Sequence, residues 1–207
     1  MGDFTAADVQ RLRQTAGVGM MDAKKALGDT EGDFDAAFQL LRERGLAAAS
    51  KRAEREATEG TIGSYLHVQA GRPVIGVLVE LASETDFVAK SDEFMETADV
   101  IALHASWGKP RWITREEVPA GVINEEKEIL TRKAEAAGKP PEVIPRIVEG
   151  QLNSFYEDNV LYDQQFVNTE RFDGTVGDLV KALASKMGEN IHVRRLVRLA
   201  IGEQSES

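Results

Sequence analysis

The chain has 207 residues, 42% hydrophobic and 29% charged, with a formal net charge of −10 at pH 7 and no cysteine. That length buries a sizeable core in one or two domains. The acidic balance argues against nucleic acid as a direct partner, and the missing cysteines exclude disulfides, thiol chemistry and thiolate metal sites and fit a cytoplasmic protein.

The opening residues, MGDFTAADVQRLRQ, are acidic and amphipathic, unlike a signal peptide, and no run approaches the roughly 18 apolar residues of a membrane span. Thr5 with Asp8 three residues on has capping-box spacing and predicts a helix start. Val9, Leu12 and Ala16 then share one helical face, and GVG at 17–19 breaks the helix. MMDAKKAL predicts a second short helix, ended by GDTEGD. Phe34, Ala37, Phe38 and Leu41 predict a third, with Gly45 placed to close it in a left-handed cap. Three helices in about 45 residues make a small bundle with a marginal core. AAASKRAEREATEG follows as a charged connecting helix ended by Gly60.

The period then changes. TIGSYLHV alternates Ile62, Ser64, Leu66 and Val68 against Gly63, Tyr65 and His67, and VIGVLVEL is a β-branched run; with the QAGRP turn they predict a hairpin. SETDFVAKSDEF comes next, and Ser91 is placed to cap a helix carrying Phe94, Ala98, Ile101, Ala102 and Ala105, ended by Gly108 and Pro110. Two polar helices joined at GKPP predict a helical hairpin at about 122–155, with Pro145 tolerable in a first turn. LYDQQFVNTERFDG reads as irregular. Thr175 and Asp178 start another helix that Gly188 stops, and NIHVRRLVRLAIG predicts a third strand joining the hairpin. The expected fold is α+β. A helical N-terminal module with its connecting helix fills residues 1–55. An α+β core fills 56–207, with a small antiparallel three-stranded sheet, helices on one face and a projecting helical hairpin.

Catalytic patterns are missing. His67, His104 and His192 are far apart, with no metal-ligand spacing, and each reads as a surface or partly packed imidazole. GVGMMD imitates the start of a dinucleotide loop but lacks the third glycine and follows a helix, so a tight helix–helix turn is expected. No GxSxG or GxxxxGK[ST] occurs, and Glu116/Glu117 and Glu125/Glu126 lie on polar helices. The expectation is a protein that acts by binding, with no cofactor, no metal and no enzymatic activity. Within SETDFVAKSDEF, spacing leaves two readings open. Asp86 and Phe87 are an N-cap and a hydrophobic staple, or they are offered to a partner.

RLRQTAGVGMMDAKKAL and ETDFVAKSDEF together closely resemble the elongation factor Ts family; IVEGQLNSFYEDNVLYDQQFV and MGENIHVRRLVRLAIGE resemble it in the same order. The resemblance implies a guanine-nucleotide exchange factor for elongation factor Tu, binding that partner both GDP-loaded and nucleotide-free. The implied exchange segment is Thr85, Asp86, Phe87 and Val88, which enters the nucleotide domain of elongation factor Tu and helps dislodge Mg²⁺. The N-terminal signature lands on Leu12, Arg13, Gly17, Gly19, Met20, Met21, Asp22, Lys24, Lys25, Ala26 and Leu27. Its module resembles a ubiquitin-associated (UBA-like) bundle, with Arg13, Gly19, Met20, Met21 and Lys24 as implied partner contacts. One of the two methionines is expected in the bundle core and the other at the partner.

Arg194 and Arg198 are the remaining candidate contacts; the simplest reading makes them solvated charges on the polar face of the last strand. Ala16, Ala23 and Pro145 depart from the family pattern, outside the exchange segment. The short form implies a homodimer and a two-plus-two complex. The competing reading is a non-catalytic helix- or peptide-binding adaptor that uses the three-helix bundle; an RNA-binding accessory role is disfavoured by the charge.

Overall fold

The computed structural model describes residues 4–16, 18 and 20–203, with residues 46–50 described as backbone alone. The chain divides into two compact units. One comprises the chain up to Glu56 together with Ala184–Asn190; the other comprises Ala57–Leu183 and the chain from Ile191 onward.

In the first unit lie α1 (Ala6–Ala16), α2 (Met20–Asp29) and α3 (Phe34–Ala53). The Thr5–Asp8 pair works reciprocally: the Thr5 amide donates to the Asp8 carboxylate at 2.9 Å and the Asp8 amide to the Thr5 hydroxyl at 3.2 Å. Two otherwise unpaired donors of the first turn are thereby satisfied. Asp33 caps α3, accepting from the Ala36 amide at 2.9 Å. The core is Val9, Leu12, Ala23, Ala26, Leu27, Ala37 and Leu41, with Phe34 and Phe38 packed against it. Small alanines at the helix crossings let three short helices approach closely, which is how so few large side chains suffice.

Two helix ends differ from expectation. Gly45 does not cap α3; the helix runs through it to Ala53, because the alanine-rich stretch behind it favours helix strongly enough to carry one glycine. Gly60 does not end the connecting helix either: it lies inside a strand, with φ of 154°. A Cβ there would sit 2.2 Å from the Leu81 carbonyl oxygen, so close strand approach, not helix termination, requires the glycine.

The second unit carries β1 (Glu59–Gln69), β2 (Arg72–Ser83) and β3 (His192–Ala200), antiparallel in the order β1-β2-β3. Its helices are α4 (Asp86–Ala89), α5 (Asp92–Gly108), α6 (Ala120–Ala136), α7 (Ile144–Asn159) and α8 (Val176–Met187), the last of which contains the division between the units. Helix α5 packs on β1 and β2. The helix side of the sheet holds Val77, Val79, Leu81 and Val193; α5 contributes Phe94, Ala98, Ile101, Ala102 and Ala105. Contact is tightest at Gly63, where a Cβ would lie 2.2 Å from the Ala98 carbonyl carbon.

This geometry decides the β1 alternation. Gly63, Tyr65 and His67 face α5, and the apolar set Ile62, Leu66 and Val68 faces solvent. In register with them on the same open face lie Leu78, Val197 and Leu199, since Ser64 pairs with Leu78, Leu78 with Val197 and Gly76 with Leu199.

Helices α6 and α7 pack on each other through Leu130, Ala134, Ile144, Val148 and Leu152. Pro145 sits in the first turn of α7, where no intrahelical N–H is lost. The stretch expected to be irregular includes a 3-10 turn, Leu161–Asp163, whose Leu161 and Tyr162 amides donate to the Trp112 and Ile113 carbonyls. The half-buried Tyr162 accepts from the Val193 amide at 2.8 Å through its hydroxyl, with desolvation pushing its pKa up to about 12.

Candidate functional site

Thr85–Val88 lies between the end of β2 and α5. A four-residue helix cannot hold itself, because nucleation outweighs so few hydrogen bonds. Its neighbours hold it instead. Thr85 is the N-cap, its hydroxyl accepting from the Val88 amide at 3.3 Å. The fully buried Ser83 hydroxyl donates to the Thr85 carbonyl at 3.1 Å, and the Ser91 hydroxyl donates to the Val88 carbonyl at 2.9 Å. Val88 and Ala89 are buried.

Successive helical side chains are about 100° apart, so burying Val88 and Ala89 turns Asp86 and Phe87 outward. Phe87 is 85% exposed, the largest value among the large apolar side chains described. The cap-and-staple reading is therefore overturned on both counts: Thr85, not Asp86, is the cap, and Phe87 does not fold under the helix. Ser91 occupies the N-cap position of α5, yet its hydroxyl turns back to Val88 and makes no capping bond.

Asp86 faces Lys90 one turn on, Nζ to Oδ2 2.6 Å. The hydrogen bond and charge of Lys90 hold the Asp86 carboxyl below its ordinary range, and Asp86 raises the Lys90 ammonium in return. The spacing of Lys90 was visible in the sequence; its role as the partner of Asp86 was missed.

The other candidates are scattered. Arg13 lies in the last turn of α1, and Met20, Met21 and Lys24 in the first turns of α2, all exposed. Met20 is 48% and Met21 74% exposed, so neither is the expected core methionine; Ala23, Ala26 and Leu27 fill that role. Gly17 and Gly19 lie outside the described residues.

Arg194 and Arg198 are not simply solvated. Arg194 donates to Glu80 at 3.0 Å and to the Ala57 carbonyl, while Arg195 donates to the other Glu80 oxygen at 2.5 Å, together holding the Glu80 carboxyl low. The Arg198 side chain is only 10% exposed, pointing to the α5 side with the Ser106 carbonyl and pairing with Glu203. It pairs with Val77 in the ladder, and that register turns it inward.

His104 also differs from a surface imidazole. It is buried, its Nδ1 accepting from the Val167 amide at 3.2 Å and its Nε2 3.0 Å from the Gln164 side-chain oxygen. The first contact fixes the proton on Nε2, and desolvation lowers its pKa. Gln164 in turn donates to the Gly108 and Asp158 carbonyls. Among the described residues no cluster of His, Asp and Glu suits a metal ion, and no helix is long and apolar enough to cross a membrane.

Residues 48–173 match the family model described as Elongation factor TS, which places the chain among translation elongation factors. It is 49% identical over 201 residues to the elongation factor Ts of Fervidobacterium nodosum, covering 97% of this chain and 100% of that one. It is 48% identical over 200 residues to that of Thermosipho melanesiensis, covering 97% and 100%. Against the elongation factor Ts of Geobacter sulfurreducens it is 48% identical over 203 residues, covering 98% and 92%. The chain belongs to the elongation factor Ts family.

Proposed function

We propose that this protein promotes GDP release from elongation factor Tu by inserting Thr85–Val88 beside the nucleotide and its Mg²⁺. The observation that carries the reading is Phe87, 85% exposed on a short helix braced from below. Exchange is a coupling between two ligands: a factor that binds the empty partner better than the loaded one must weaken nucleotide binding by the same factor. Each 1.4 kcal/mol of difference is about tenfold, and burying one aromatic is worth roughly 1.5–3 kcal/mol. A pre-formed wedge delivers that energy with little ordering cost. The protein acts as a binding partner, not as an enzyme, and needs no cofactor of its own.

The N-terminal unit, read as a UBA-like bundle over 1–55, supplies a second contact through Arg13, Gly19, Met20, Met21 and Lys24. Exposed methionines suit that role because they adapt to a partner's shape. The core over 56–207 pairs with a second copy of the chain through the open sheet face around Leu78, giving a cytoplasmic homodimer and a two-plus-two complex. Support comes from the contiguous row Ile62, Leu66, Leu78, Val197 and Leu199, an apolar surface that a monomer would leave in water. The α6–α7 pair is read as a projecting hairpin.

The exposed Met20 and Met21 also favour a helix-binding adaptor without effect on nucleotide. Release of a fluorescent GDP analogue from elongation factor Tu separates the two: acceleration supports exchange, and an unchanged rate with retained binding supports the adaptor.

A further inference from the structure

We propose that Lys90 is a specificity-determining residue of the exchange segment: by neutralising Asp86 it lets the segment approach a partner whose nucleotide site is filled. The proposal rests on the exchange reading and deepens it. Glu84, Asp86, Asp92 and Glu93 set four carboxylates against one ammonium, Lys90, in residues 84–93. Glu59 adds a further carboxylate near Lys90. Lys90 spends its charge on Asp86 at 2.6 Å, the acid beside the exposed ring.

Bound GDP carries more negative charge than its single Mg²⁺ cancels, so the filled site stays net anionic. A bare carboxylate brought toward it is repelled, and within a Debye length of about 10 Å salt removes little of that repulsion. After the nucleotide leaves, the phosphate charge is gone and the penalty with it. Neutralising Asp86 therefore matters for docking on the loaded partner and little for docking on the empty one. A purely structural role for Lys90 is the competing explanation. Against it, α4 is already held by the Thr85, Ser83 and Ser91 hydroxyls and by buried Val88 and Ala89, while the Lys90 and Asp86 side chains are 75% and 64% exposed.

The experiment measures release of a fluorescent GDP analogue from elongation factor Tu against the concentration of the full chain, at low and high salt. Binding to nucleotide-free elongation factor Tu is measured in parallel. For Lys90→Met the concentration giving half-maximal release rises about three- to tenfold at low salt, as expected when a charge that steers association is removed. The difference shrinks as salt rises to about 0.5 M. The maximal release rate and the affinity for the empty partner stay within about twofold, and Lys90→Arg restores the unmodified behaviour. Equal loss of affinity for both partner states, a lower maximal rate without a concentration shift, or no change in any quantity would each overturn the proposal. Failure of the unmodified chain to speed release is a separate result, one that removes the exchange reading itself.

Discussion

Phe87 leaves most of its ring in water, so truncating it removes little from the folded state. Phe87→Ala should change unfolding free energy by less than about 0.5 kcal/mol, as surface substitutions do, while slowing GDP release from elongation factor Tu strongly. Chemical denaturation and the release assay read the two effects separately. A large loss of stability would mean that the ring is structural. His104 behaves oppositely: its role is internal. Burial favours its neutral form, so its folded pKa lies below the ordinary 6.5. Its contribution is fully present above the unfolded pKa. It is lost as pH falls toward the folded value, because only the unfolded chain gains a proton in that window. Stability should therefore fall as pH drops through the ordinary histidine range toward the lower folded value, with a slope of at most about 1.4 kcal/mol per pH unit for one group. His104→Gln should reduce that slope in urea unfolding, leaving the part due to His192, whose pKa burial also lowers.

At the scale of elements, two glycines test the packing from opposite sides. Gly63→Ala drives a methyl into the Ala98 backbone, where nothing can swing aside. Prying β1 from α5 should cost about 1–3 kcal/mol or more in urea unfolding. Gly45→Ala, in a helical backbone with open space around it, should stabilise by about 0.5–1 kcal/mol.

Capping pairs, hydrophobic period and the β-branched run made α1, α5, α8 and the strands legible in sequence, because each is a local signal. What stayed hidden depends on distant chain. Gly45 and Gly60 look like punctuation until the helix behind the first and the strand beside the second are known. Which face of β1 is buried could not be told from alternation, since α5 covers the glycine face for steric reasons. For the candidate segment, spacing alone divided Phe87 between staple and wedge. The buried Ser83 and Val88, seen only in the fold, account for its outward turn.

At the scale of the molecule, the open sheet face predicts self-association. Leu78 lies at its centre, on the middle strand, and is exposed in the single chain. The unmodified chain should sediment as a dimer at micromolar concentration, and Leu78→Lys should sediment as a folded monomer. A monomeric unmodified chain would contradict the pairing.

Release of a fluorescent GDP analogue from elongation factor Tu measures the proposed exchange activity most directly. With the full chain present, release should accelerate in proportion to its concentration before saturating, and Phe87→Ala should abolish most of the acceleration. An unchanged release rate at concentrations where the two proteins demonstrably bind would contradict it.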